Sequence, residues 1–386
     1  MSVRTGRRTA LMAVTAVTAA VALAAPAVAA VPTGASAGGD HRATWKAMDA
    51  NVKDGVVGIA VQARDEHGVW KATSGVGDLT TGEPRSARDH FRVGSITKTF
   101  VSTVLLQLEA EGRLSLDDKV DKWLPGVVRG KGHDGRRMTL RQLLNHTSGI
   151  ADYTSDKQFV KDVFLAEGFF ENRYRTWSPR ELVGIAMKHE PDFAPGADWS
   201  YSNTNYVLAG MVIEKATGNS YGHEIRARII EPLGLRDTKV PGTVPTLPGP
   251  HSRAYSKLAE TADGRTYDVT RFNSSAAGAA GGMISDADDL NRFISALLRG
   301  KLLPEKQLAE MKNVIPVDGD RGGYGLGLIT YKLSCGVQLW GHSGGIHGSL
   351  SETATTADGR HTLTYNFNSD WAGDSLPIME AEFCGR

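Results

Sequence analysis

Cysteine is nearly absent: Cys335 and Cys384 are the only two in 386 residues. Two thiols cannot build a multiply cross-linked disulfide scaffold or a four-cysteine zinc site. Metal-ligand and phosphate-cradling patterns are missing too. There is no H-E-x-x-H, no paired C-x-x-C and no glycine-rich phosphate loop, so neither a metal nor a nucleotide has support in the sequence. No cofactor is expected. Charge of one sign is not in excess either, with 44 Lys and Arg against 43 Asp and Glu. That balance lacks the basic footprint of a nucleic-acid binder, and no nucleic-acid partner is expected. The apolar run from Ala10 to Ala25 is too short, and its flank too rich in small residues, for a good membrane span. No stable membrane anchor is expected.

What is present begins with a leader. Arg4, Arg7 and Arg8 precede that apolar run, and Ala27-Val28-Ala29 resembles an A-x-A cleavage signal. Residues 1–30 therefore read as a signal peptide, and the mature chain as secreted and extracellular. Arg7-Arg8 leaves both general and twin-arginine export open. Without the leader's three arginines the basic residues number 41 against 43 acidic, a net charge of about −2. An exported chain is free to join Cys335 to Cys384. On the loop-entropy view such a bridge contributes roughly 3–4 kcal/mol, and two free buried thiols are the alternative.

The patterning places strands at both ends and helices between. Ala43–Val52 reads as an amphipathic helix, Val56–Ala63 and Val69–Gly77 as strands joined around His67-Gly68. From Leu114 to about Leu235 the apolar segments have helical spacing: Arg136–Asn145, Ser178–Lys188, Asn205–Ala216 and Glu224–Ile230. Another helix is expected over Asp286–Leu298. Strands are expected at Tyr324–Lys332, Val337–Trp340 and His361–Asn368, and a last helix over Leu376–Phe383. The expected architecture is an α/β (α+β) sheet domain made of residues 31–112 and 281–386. A mostly helical lobe, residues 113–280, is inserted into it. The crevice between sheet and lobe is the natural site.

Chemistry enters with FRVGSITKTF, Phe91 to Phe100. Gly94 breaks the preceding extended run, and Phe100, Val101, Val104, Leu105, Leu106 and Leu108 then recur at helical spacing. Ser95 and Lys98, at i and i+3, share one face of the first turn, so hydroxyl and ammonium can interact. The unpaired N–H groups at such a terminus favour an oxyanion. Taken alone, the pattern is better read as a serine cap followed by a surface lysine. Two further segments bear on it. YSNTNYVLAG carries Tyr201 and Asn203 on a turn before a helix, and GHSGGIHG places His342 beside Gly344 and Gly345. Alone, the first could be a capping turn and the second an ordinary hydrogen-bonded histidine.

S-x-x-K, Y-x-N and H-x-G in this order resemble the serine penicillin-recognising enzymes. Within them the chain is similar to the class C β-lactamase-like group, especially exported D-alanyl-D-alanine carboxypeptidases of actinobacteria. FRVGSITKTF, LLNHTSGI, PGADWSYSNTNYVLAGMVIEKATG, AAGGMIS, YGLGL and GHSGG carry the resemblance over nearly the whole mature chain. It implies an antiparallel sheet flanked by helices with an all-helical lobe. It makes Ser95 the nucleophile, Lys98 its activating neighbour and Tyr201 a general base and acid. Asn203 becomes a ligand of Lys98 and of the substrate amide, and His342 the residue orienting the proton-transfer network. The backbone N–H groups of Ser95 and Gly345 would hold the oxyanion, with Gly344 and Gly345 leaving room for substrate along the strand. His146, in NHTSG, reads as structural.

Whether Tyr201 or Lys98 takes the serine proton stays open on sequence, since burial could neutralise the lysine and a lysine cation could favour the phenolate. The implied activity is an acyl-enzyme hydrolase acting on peptidoglycan stem peptides and acylated by β-lactams. An esterase, a D-amino-acid amidase or a β-lactamase on the same scaffold are alternatives, as is a non-catalytic β-lactam or wall sensor. A monomer is expected. Gly341–Gly345 and Gly218–Gly222 also match G-x-S-x-G, the nucleophile elbow of α/β-hydrolases. An elbow needs a helix directly after its serine and a preceding strand. Glycines and strand-like sequence follow Ser343, and Ser220 lies between helices, so neither fits.

Overall fold

A computed structural model describes residues 40–259, 264–317 and 322–385. The expected signal peptide lies outside the described residues. An eight-stranded, wholly antiparallel sheet forms the frame. Its strands are β1 (Gly58–Asp65), β2 (Gly68–Gly75), β3 (Ile315–Pro316), β4 (Gly322–Tyr324), β5 (Ile329–Lys332), β6 (Gln338–Ile346), β7 (Ser349–Thr356) and β8 (Thr362–Phe367). They lie in the order β2-β1-β8-β7-β6-β5-β4-β3. The N-terminal hairpin is thus stitched to the C-terminal strands through the β1–β8 pair, with Val61 opposite Tyr365.

Helices α1 (Arg42–Lys53) and α5 (Ser375–Cys384) cover one side of the sheet, where Met48, Ile59, Val61, Leu339, Leu363 and Ile378 form one core. The other, larger core is built around α2 (Thr97–Ala110) and α3 (Asn203–Thr217). Helix α4 (Ala287–Leu298) joins it through Leu290, Phe293, Ile294 and Leu297. In α2 every residue from Thr97 to Leu106 is buried, as expected of a helix apolar on most sides. Cys335 and Cys384 are bonded, with Cα atoms 5.9 Å apart, tying α5 to the turn between β5 and β6. No described helix is long and apolar enough to cross a membrane.

Three local expectations are corrected. Tyr324–Lys332 is not one strand but the hairpin β4–β5, with Gly323 opposite Thr330; Gly327 turns the chain at φ +70°. Strand β6 extends to Ile346 rather than stopping at Trp340, while the strand-like sequence after GHSGG is the strand β7, as expected. The helix expected over Arg136–Asn145 is only Leu140–Leu144. The Thr139 side chain accepts from Gln142 N while the Gln142 side chain accepts from Thr139 N, a reciprocal cap that sets the start.

Candidate active site

The chain enters the site through a tight turn. Gly94 has φ +54°, a conformation side chains resist, and the 3₁₀ turn Gly94–Ile96 then runs into α2. Ser95 sits on that turn and Lys98 on the first turn of α2. Opposite them, Asn203 opens α3 while Tyr201 lies two residues earlier, in non-helical backbone.

Lys98 joins these segments. Its Nζ lies 3.0 Å from Ser95 Oγ, 2.8 Å from Asn203 Oδ1 and 2.7 Å from the Ala280 carbonyl. Lys98 is wholly buried, and burial pushes its pKa down to about 7, against a smaller opposing pull from Asp152. Burial holds the Tyr201 phenol protonated, well above its usual range, and a hydrogen bond with Ser95 only partly offsets this. The Tyr201 ring lies 4.7 Å from Lys98 Nζ.

His342, in β6, does not join the cluster directly. Its Nε2 meets Tyr324 Oη at 2.9 Å and its Nδ1 meets the Ser343 carbonyl at 2.5 Å. The Tyr324 ring stands edge-on to Tyr201, centroids 6.1 Å apart. Burial, aided by Lys98, drives His342 down to about 3, so it is neutral at pH 7. Gly344 and Gly345 continue the same strand, opposite Ser351 and Leu350 of β7.

Three residues beside this cluster had no individual signal in the sequence as chemical groups. Asp152 accepts from Asn203 Nδ2 at 2.9 Å, and burial raises its pKa. Tyr324 supplies the His342 contact. His146, read as structural, has its ring 4.3 Å from the Tyr201 ring, and its Nδ1 accepts from Ser202 N and Asn205 Nδ2. Only NHTSG hinted at it. The decoy serines are placed otherwise. Ser343 lies within β6, opposite Glu352 of β7, and Ser220 caps the helix Tyr221–Ile225 by accepting from His223 N.

A cavity of about 170 Å³ opens beside Ser95, Asn203 and Gly345. Its wall is aromatic: Tyr153, Phe159, Phe164, Phe169, Trp177 and Phe272. Phe159 stands edge-on to both Tyr153 and Trp177 at about 5 Å, the geometry aromatic quadrupoles prefer. His347 closes one side, its Nε2 donating to the Val163 carbonyl at 2.9 Å; burial drives its pKa down to about 4, which leaves Nδ1 bare. Elsewhere, Asp237, Asp286 and Asp289 converge closely enough to face one ion. His90, Asp289 N and Thr238 already engage these three carboxylates in turn.

The pattern of the family described as Beta-lactamase matches residues 40–370. Penicillin-binding protein 4* of Bacillus subtilis (strain 168) is 29% identical over 77% of this chain and 64% of its own length. The chain thus spans somewhat less than two thirds of that relative. A D-stereospecific amidohydrolase from Streptomyces sp. superposes with a TM-score of 0.86 at 57% identity, over 90% of this chain and 99% of that one. The D-amino acid amidase of Ochrobactrum anthropi SV3, complexed with D-phenylalanine, gives 0.76 at 30% identity over 89% and 99% of the two chains. With a family pattern spanning most of its length, a matching fold and a serine–lysine pair at the head of a buried helix, the chain belongs to the beta-lactamase family of serine hydrolases.

Proposed function

We propose that the protein hydrolyses amides and esters of D-amino acids bearing an apolar, aromatic-sized side chain, through an acyl-enzyme on Ser95. The aromatic cavity beside Ser95 carries the reading. It is larger than the methyl group of D-alanine needs, and its apolar wall rewards a ring. The likeness to an amidohydrolase and an amidase that are D-specific by name supports the same class. A D-alanyl-D-alanine carboxypeptidase would also need an anchor for the free C-terminal carboxylate.

The hydrogen-bond directions around Lys98 support it as the base. Asn203 Oδ1 and the Ala280 carbonyl can only accept, so a neutral Lys98 amine spends its two hydrogens on them. Its lone pair then faces Ser95 Oγ, the one hydroxyl among these three partners. With a pKa of about 7 a large fraction of Lys98 is neutral at neutral pH. Ser95 Oγ attacks the acyl carbon as Lys98 takes its proton, and the Ser95 and Gly345 N–H groups receive the oxyanion. The C–N or C–O bond breaks as Tyr201 gives its phenolic proton to the departing amine or alkoxide. The proton held by Lys98 then passes to the Tyr201 phenolate, restoring both groups, and water repeats the sequence on the acyl-enzyme. Lys98 takes the water proton, Tyr201 returns one to Ser95 Oγ, the D-amino acid is released, and a second proton transfer from Lys98 to Tyr201 resets the pair.

The test is turnover of D- and L-phenylalanine amide, a D-phenylalanine ester, a D-Ala-D-Ala peptide and a penicillin by the mature protein. Preference for the D-phenylalanine compounds, abolished in Ser95→Ala, is expected. Turnover confined to the D-Ala-D-Ala peptide would replace this reading with the carboxypeptidase one.

A further inference from the structure

The Asn203 carboxamide is fully engaged before any substrate arrives. Its Oδ1 receives Lys98 Nζ at 2.8 Å. Its Nδ2 has two hydrogens and two acceptors: Asp152 Oδ2 at 2.9 Å and Thr154 Oγ1 at 3.4 Å. The bond to a carboxylate is the stronger one. Asp152 is itself fixed, because its Oδ1 caps the turn Tyr153–Ser155 by accepting from Thr154 N at 3.1 Å. Asn203 and Thr154 both line the cavity, so this amide is the polar feature a substrate's own amide would meet beside Ser95.

We propose that Asp152 is a positioning residue that commits Asn203 to Lys98 and withdraws its N–H groups from substrate recognition, so the acyl side of the preferred substrate is a D-amino acid with a free amino group rather than an N-acylated one. An N-acyl group brings a carbonyl that needs a donor. Here, beside Ser95, it would have to displace Asn203 from Asp152 or give up that donor and reach past the aromatic wall toward Asn172, Arg173 or Asn273, and a buried carbonyl left unpaired is unfavourable. A free amine, protonated, asks instead for an acceptor, and the Asp162 carboxylate lines the same cavity. The orientation of Asn203 also follows from Asp152: with a carboxylate on one side, the amide must present nitrogen there and oxygen to Lys98. This inference rests on the proposed hydrolysis of D-aminoacyl compounds.

The experiment compares kcat/KM for D-phenylalanine amide and N-acetyl-D-phenylalanine amide at one pH, in the wild type, Asp152→Asn and Asp152→Ala. In the wild type the free amine is expected to be preferred by about tenfold or more. Asp152→Asn keeps an oxygen for Asn203 Nδ2 to donate to and should retain most of that ratio. Asp152→Ala frees the amide, so the ratio should narrow by about tenfold while kcat falls for both substrates. Equal or better turnover of the N-acetyl compound by the wild type overturns the proposal, and it does so even if Asp152→Ala does not fold. A ratio unchanged in Asp152→Ala also overturns it. So does an Asp152→Asn ratio that collapses as far as that of Asp152→Ala, because charge rather than amide orientation would then be responsible. Failure of the wild type to cleave either compound, with turnover of other substrates, counts instead against the proposed function.

Discussion

Gly94 and Gly345 approach so closely that a Cβ built on Gly94 would stand 2.7 Å from Gly345 N. The turn that carries Ser95 and the strand β6 thus touch through backbone, and a Cβ built on Gly344 would in turn stand 3.1 Å from Ser95 N, which supports the proposal that the Ser95 and Gly345 N–H groups serve one oxyanion. Gly94→Ala would push the two apart and also strain a backbone at positive φ. Its kcat should fall by about 10²-fold, the scale of losing one oxyanion donor. Steady-state kinetics on the variant, with circular dichroism to confirm that it folds, checks this; an unchanged kcat would remove the proposed oxyanion pair.

The assignment of Lys98 as base fixes a pH profile. The neutral amine is the competent form, so kcat/KM should rise with pH through about 7 and level off above it. 4-Nitrophenyl acetate, which has no titratable amine of its own, is the substrate for this measurement. Lys98→Arg keeps a cation that cannot lose its proton and should lose about 10²–10⁴-fold. A wild-type profile flat from pH 5.5 to 8.5 would exclude Lys98 as the base.

Tyr201 is held protonated by burial and is assigned to the leaving group. Tyr201→Phe keeps the ring and removes the proton. For D-phenylalanine amide, whose amine departs poorly, kcat should fall by about 10²-fold or more with KM little changed. A 4-nitrophenyl ester leaves without protonation and should lose much less. Equal losses on both substrates would contradict the assignment.

A separate prediction concerns stability. Glu382 of α5 accepts from His41 Nδ1 at 3.0 Å, from Thr44 Oγ1 at 2.7 Å and from His361 Nε2 at 2.9 Å, linking α5 to the start of α1 and the edge of β8. Burial opposes ionisation, but the bonds from His361, His41 and Thr44 outweigh it and hold the carboxyl at about 2. That contribution is present above about 4.5 and is lost as pH falls toward 2. The bond to Glu382 raises His41, whose contribution is present below 6.5 and is lost as pH climbs through its raised value. Glu382→Gln should therefore cost most, about 1–3 kcal/mol, between pH 4.5 and 6.5. Denaturant unfolding at pH 5.5 and 8.5 should show the gap between variant and wild type shrinking at the higher pH. A gap independent of pH would remove this clamp.

Much of the local structure was legible because its causes are local. Gly94 before an apolar helical run marked the turn and α2, and the apolar spacing of Ser178–Lys188 marked a helix whose start the structure caps reciprocally through Ser178 and Glu181. The order of S-x-x-K, Y-x-N and H-x-G named Ser95, Lys98, Tyr201, Asn203 and His342, of which Lys98, Ser95 and Asn203 stand in direct hydrogen-bond contact. His342 was legible as a residue but not as a geometry, since its ring faces Tyr324.

The rest needed partners distant in sequence. Strand β7, Ser-Leu-Ser-Glu-Thr-Ala-Thr-Thr, has no apolar alternation, yet it is almost wholly buried between β6 and β8. Its hydroxyls are satisfied across the sheet, with Thr353 meeting Thr364 Oγ1 and Ser351 accepting from Asn366, so polar residues can occupy an interior strand. The β4–β5 hairpin was hidden inside an apparently continuous strand because Leu326 and Leu328 are buried as loop residues in the larger core. The aromatic cavity draws on segments from Tyr153 to Trp177 and on Phe272, each of which reads by itself as ordinary core. By itself, then, the sequence placed Ser95 and Lys98 side by side, because residues three apart at the start of a helix share a face. Which way Asn203 points, how far burial lowers Lys98 and what fits beside Ser95 were decided by the tertiary structure, because orientation, desolvation and cavity shape come from atoms that only folding brings near.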